Sequence, residues 1–267
     1  VRIKAVKQVR EGISVSMAHK ADKRLSIYNS SPYSHNMMAT GENALEDQWA
    51  MDQICVAYHG YAHTHIDALC HLFNKGKMYN GVPQTEVTKS GAKRLSIIGL
   101  KQGVFTRGIL LDIPAMKGVD WLEPGYAVTV KSLEAFEEWG KLKIRMGDVV
   151  FLRTGRWARE QAKGPWDVGA SSAGFHFSCM EWLAKRDIAC IGSDAASEVA
   201  PSGIEGYSHP VHILALHSLG MNIFDCCDFL EVSKTCKRLK RYEFLLTGNP
   251  LPIEGGTGSP LNPVATF

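Results

Sequence analysis

Between residues 59 and 71 the chain reads His59-Gly-Tyr61-Ala-His63-Thr-His65-Ile-Asp67-Ala-Leu-Cys-His71, which packs four imidazoles and a carboxylate into one short segment. Successive side chains of a strand alternate between faces, so an extended segment turns His59, Tyr61, His63, His65 and Asp67 the same way. Such a row is poor core material, because each ring needs a hydrogen-bond partner and a buried carboxylate must be paired or metal-bound. As ligands the same groups suit zinc or manganese. Neighbours on one strand face lie ~6.6 Å apart, a gap that converging side chains bridge, whereas residues six apart lie ~20 Å apart. His71 therefore reaches the site of His65 and Asp67 only if the chain turns after Asp67, and His59 only if it bends, as Gly60 allows.

The remaining chemistry in the sequence is sparser. No Gly-x-Ser-x-Gly elbow is present, so a serine hydrolase has no support. Cys70 adjoins His71, but adjacent residues on a helix do not face each other, which argues against a Cys–His nucleophile. Asp194 follows an apolar run and either orients a ligand histidine or closes a turn. Arg153 either holds a substrate carboxylate or pairs within the fold. Trp157, Trp166 and Phe175 line a pocket or fill the core.

Elements that could position these residues follow from periodicity. A short helix is expected from Ile3 to about Glu11, then a strand over 12–17. Residues Ala21–Asp52 lack periodicity and read as an extended loop or arm. Gln53 to Asp67 reads as a strand, as do the apolar runs Gly108–Ile113, Asp148–Arg153, Ile188–Gly192 and Tyr242–Leu246. Ser132–Trp139 has helical spacing. So does Ser178–Lys185, where Ser178 and Glu181 have the spacing of a capping box. His212–Leu219 reads as a helix ended by Gly220, and Asn222–Asp225 opens the next element. The Gly- and Pro-rich residues 247–267 read as a loose tail. Strands and helices mix without strict alternation, which predicts a single α/β or α+β domain over 1–267 with a mixed sheet.

Composition narrows the partners. The 267 residues carry a formal charge of +3 with 21% charged residues, and the basic cluster Lys234–Arg241 lies at the end of an expected helix. That is a solvated helical face, so nucleic acid is not an expected partner. Seven cysteines without a regular framework point to free thiols. No apolar run approaches a membrane span, and the first residues do not read as a signal peptide. A cytoplasmic protein with a small-molecule substrate is the expectation.

Thr64-His65-x-Asp67 and His71 resemble, in register, the signature H-x-G-T-H-x-D-x-x-x-H of the cyclase family, which includes kynurenine formamidases and isatin hydrolases. Gly147-Asp148 through Arg153-Thr154-Gly155, Glu181 through Asp194, and His212 through Gly220 to Asp225 resemble further blocks of that family. The resemblance implies a swivelling β/β/α fold and a homodimer or homotetramer. By position it makes His65, Asp67, His212 and Asp225 ligands of zinc or manganese and His71 the acid/base residue. Three positions depart from the pattern: Tyr61 stands where the family has its first ligand histidine, His63 where it has its glycine, and Asp225 stands for the late glutamate. Strand geometry offers His63 as the replacement ligand, with His59 as the alternative; Tyr61 and His59 otherwise face substrate. The implied activity is hydrolysis of an amide, cyclic amide, lactone or ester by metal-activated water. A lyase or cyclase acting on an enolisable carbonyl uses the same ion without consuming water, and a catalytically silent member keeps only the fold.

Overall fold

The computed structural model describes residues 1–42 and 48–267; residues 43–47 of the expected arm lie outside the described residues. Nine strands form one sheet in the spatial order Ser14–Ser16, Val264–Thr266, Glu243–Gly248, Val104–Asp112, Val149–Arg153, Cys190–Ser193, Asn222–Asp225, His65–Asp67 and Gly258–Pro260. The four strands from Val104–Asp112 to Asn222–Asp225 run parallel, and the strands on both sides of them pair antiparallel. This is the mixed α+β single-domain architecture expected from the sequence.

The central strands are buried along their whole length, which is why they read as continuous apolar runs. Phe151 lies in contact with Phe224, Phe229 and Phe244, with ring centroids 5.4, 5.5 and 6.4 Å away. Two buried polar knots tie the carboxyl ends of these strands together. Arg153 donates to Asp112 at 2.8 Å and to the Asp120 carbonyl, so it serves the fold and not a substrate. Asp194 accepts from the Thr154 hydroxyl at 2.7 Å and from the backbone of Thr154 and Gly155. Of its two readings, the turn is therefore the one realised.

Several elements differ from the expectations. The first helix covers only Arg2–Val6. The expected strand from Gln53 to Asp67 is two strands, Met51–Cys55 and His65–Asp67, separated by bends. Met51–Cys55 pairs with Ser34–Ala39, so the arm contains a hairpin, most of which is exposed. The helix Cys179–Ala184 has no side-chain cap. Ser178 is itself helical and its hydroxyl meets His176 Nδ1 at 2.8 Å, while exposed Glu181 pairs with Lys185. The helix Val130–Trp139 instead carries the reciprocal box, between Thr129 and Ser132. The tail is not loose: it supplies the strands Gly258–Pro260 and Val264–Thr266, and Phe267 is fully buried. Among the described residues, no helix is long and apolar enough to cross a membrane.

Candidate metal centre and active site

The site forms where Asn222–Asp225 ends beside the antiparallel strand His65–Asp67. Register puts Asp225 opposite His65 and Ile223 opposite Asp67. Alternation then sends Ile66 into the core and turns His65 and Asp67 to the other face, together with Asp225. His212 comes from the helical segment Pro210–Leu219, which ends at Gly220 with φ +66°. Its Nε2 lies 3.1 Å from Asp225 Oδ2 and 3.6 Å from Asp67 Oδ2.

Hydrogen bonding behind the site fixes which ring atoms face it. His65 Nδ1 lies 2.8 Å from the His63 carbonyl, and a carbonyl only accepts, so the proton sits on Nδ1. His212 Nδ1 lies 2.8 Å from Glu198 Oε2, and the carboxylate accepts a hydrogen bond from the Nδ1–H. Both Nε2 atoms are thereby turned inward as potential donors of a lone pair, the usual second-layer arrangement behind metal-binding imidazoles. His59 Nε2 meets the Thr257 hydroxyl at 2.9 Å, and its Nδ1 lies 3.0 Å from Asp67 Oδ1.

Asp67 is the centre of the cluster. Its carboxylate is fully buried, and neither oxygen accepts a hydrogen bond of normal geometry despite four imidazoles around it. Lone pairs aimed at a shared point, without donors between them, are the mark of a cation site. Two overlapping groups that share Asp67 bring their ligand atoms within 4.8 Å of one another: His65, Asp67 and Asp225, and His59, Asp67 and His71. The residues present therefore suit a divalent metal.

The electrostatics agree. Burial pushes the Asp67 carboxyl up, but contacts with His212 and His59 and the nearby rings of His65 and His71 outweigh it and hold the group well below its ordinary range. Burial lowers the basicity of His212, yet Glu198 and Asp225 raise it well above the usual imidazole value. The proton it shares with Asp225 is what a cation displaces on binding. Burial, helped by His59, His212 and His65, brings His71 down to about 4 against the pull of Asp67. Burial likewise raises the Cys70 thiol to about 11, so Cys70 is no thiolate nucleophile.

The residues singled out by the sequence divide as follows. His59, His65, Asp67, His71, His212 and Asp225 converge. His63 does not: it is buried away from both ligand sets, and neither ring nitrogen has a partner in the protein. Strand alternation does not reach His63, because residues 56–64 form no strand and bend at 59–63. Gly60, at φ +111°, turns the chain so that His59 reaches Asp67 and its ring stacks on His71, with centroids 3.9 Å apart. Tyr61 lines the metal pocket of about 230 Å3 and also a neighbouring cavity of about 580 Å3. Glu198 escaped the sequence reading, because nothing in local spacing links it to His212, fourteen residues on. Ser197, which donates to Asp225 Oδ1 at 3.0 Å, escaped for the same reason.

Known proteins share this fold. A structure described as a novel cyclase is 29% identical, with a TM-score of 0.87 over 99% of this chain and 90% of that one. Isatin hydrolase A from Labrenzia aggregata, bound to benzyl benzoate, shares the fold at 18% identity and a TM-score of 0.70, covering 98% of this chain and 96% of that one. A predicted metal-dependent hydrolase from Bacillus stearothermophilus shares it at 16% identity and a TM-score of 0.57, covering 95% and 97%. No curated protein matches by sequence. The Cyclase family model matches residues 14–198, most of the chain and all of the His59–His71 segment, so the chain belongs to the cyclase family.

Proposed function

We propose that this protein is a metal-dependent hydrolase that opens an amide, cyclic amide, lactone or ester. The observation that carries the reading is the Asp67 carboxylate, buried without a hydrogen bond of normal geometry among four imidazoles, of which His65 and His212 turn their Nδ1 atoms away to the His63 carbonyl and Glu198. His65, Asp67, His212 and Asp225 would hold zinc or manganese, with His59 in the position left by Tyr61. When bound, the divalent ion supplies a Lewis acid that polarises an acyl oxygen and acidifies water. His71, on the wall of the same pocket, takes the proton of the attacking water and returns one to the departing nitrogen or oxygen. Water thus adds to the acyl carbon, the C–N or C–O bond breaks, and the products are an acid and an amine or alcohol. Relatives that share the fold include isatin hydrolases, whose name denotes opening of a cyclic amide, and this supports the same reaction class here.

The test is elemental analysis combined with a screen of formamides, cyclic amides and lactones read by mass. Stoichiometric zinc or manganese and a product heavier by one water are expected, with His65→Ala and Asp67→Ala each losing most of the metal. A product of unchanged mass would assign the lyase or cyclase reaction. Full metal occupancy in either variant would refute the ligand set, and a wild-type protein without metal would make it a silent family member.

A further inference from the structure

We propose that the 580 Å3 cavity beside the metal pocket seats the substrate, and that it selects an uncharged acyl compound over one bearing a carboxylate. The proposal rests on the hydrolase reading and adds the class of substrate to it. The cavity shares Tyr61, Ala196 and His209 with the metal pocket, so a molecule in it presents one end to Asp67 and His71. Its volume suits a small-molecule ligand.

The charge around it decides the class. Among the described residues, no lysine or arginine lines the cavity, and Glu198 is its one carboxylate. Glu198, Asp67 and Asp225 lie together around His212, so a divalent ion leaves one of the three negative charges uncompensated. The arginines near the cavity are committed elsewhere. Arg156 is buried and donates to the carbonyls of Tyr61 and Asp194, while Arg159 lies 3.6 Å from Glu123 and covers the Trp166 ring. A substrate carboxylate would therefore enter a site of its own sign, partly shielded from water, and would bind at least ~10-fold more weakly than its neutral counterpart.

The polar groups on offer suit a neutral molecule. A Cβ added at Gly169 would lie 3.0 Å from Tyr61 Cε2 and 3.3 Å from its hydroxyl, which places that hydroxyl against the cavity wall. A phenol there can donate to a carbonyl or accept from an N–H. Serine hydroxyls, small residues, Ile204 and Tyr207 from the segments 169–172 and 200–208 form most of the remaining wall.

The test uses the zinc-loaded protein and two probes of one shape, phthalimide and 4-carboxyphthalimide, with binding measured by calorimetry and ring opening by absorbance. Phthalimide should bind, and the carboxylated probe at least ~10-fold more weakly. Ala170 lies on the cavity wall, is exposed, and belongs to none of the chemistry, so Ala170→Arg supplies the missing cation without disturbing the fold. That variant should narrow or reverse the gap. Equal binding of both probes to the wild type, no binding of either, or an unchanged gap in Ala170→Arg would overturn the proposal. Selective binding without ring opening would count against the hydrolase reading alone, and ring opening without selectivity against the present proposal alone.

Discussion

His59 and His63 flank Tyr61 and look equivalent in the sequence, yet they have opposite fates. His59 presents Nδ1 to Asp67 with its other nitrogen on Thr257, while His63 is buried with both nitrogens unpartnered and only its carbonyl serving the site, through His65. His59→Ala should therefore weaken zinc or manganese binding by at least ~100-fold, as loss of a ligand exceeds what second-layer changes cost. His63→Ala should weaken it less, and Tyr61→Phe hardly at all. A competition titration against a chelator ranks the three, and a larger loss for His63→Ala than for His59→Ala would reverse the assignment. His71 separates from both. His71→Ala should hold its metal and lose ~10²–10⁴ in turnover, and loss of metal instead would make His71 a ligand. His65, Asp67 and His71 were legible because their relation is local: a three-residue strand and the turn after it. Glu198 and Ser197 were not, because they meet His212 and Asp225 only through the fold.

At the scale of elements, the bend at residues 56–64 does what an extended strand could not. Gly60 sits at φ +111°, its carbonyl accepts from Cys226 Sγ at 3.2 Å, and the next carbonyl, of Tyr61, accepts from Arg156. The turn is thus pinned on both sides by residues that adjoin Asp225 and Asp194. Gly60→Ala meets no steric obstacle at its Cβ, so its effect should come from the backbone alone. A non-glycine residue at such φ costs about 1–3 kcal/mol, and relaxing that strain moves His59. The variant should lose metal affinity while the buried sheet keeps its far-UV circular dichroism. Unchanged affinity would show that His59 is not held by this bend. Alternation of side chains was visible in the sequence, but the positive φ that interrupts it was not. The central strands were read well, because burial on both faces leaves a continuous apolar run that no distant contact has to explain.

For the molecule as a whole, residues 258–267 couple the site to the opposite edge of the sheet, and this coupling was invisible in a Gly- and Pro-rich stretch whose strands exist only through distant pairing. Gly258–Pro260 borders the metal-site strand: Ser259 pairs with Ile66, and the Gly258 carbonyl accepts from the Tyr58 hydroxyl at 2.8 Å. Val264–Thr266 lies between Ser14–Ser16 and Glu243–Gly248 at the other edge, and Phe267 is fully buried against Phe244. The two ends of one tail should therefore report different quantities. Phe267→Ala removes a buried ring at a cost of about 3–5 kcal/mol, which lowers Tm by on the order of 10 °C for a chain of this size. It should leave metal stoichiometry intact, since the ring packs on Phe244 and touches none of the candidate ligands. Gly258→Ala does the reverse. Its Cβ would come within 2.6 Å of the Ile66 carbonyl and 3.0 Å of His59 Cε1, so the strand or the ring must give way. Displacing His59 should reduce metal affinity by more than the accompanying change in Tm predicts. Paired measurements of Tm and metal content on the two variants check both halves, and metal loss in Phe267→Ala at temperatures well below its Tm would show that the sheet transmits strain from edge to edge.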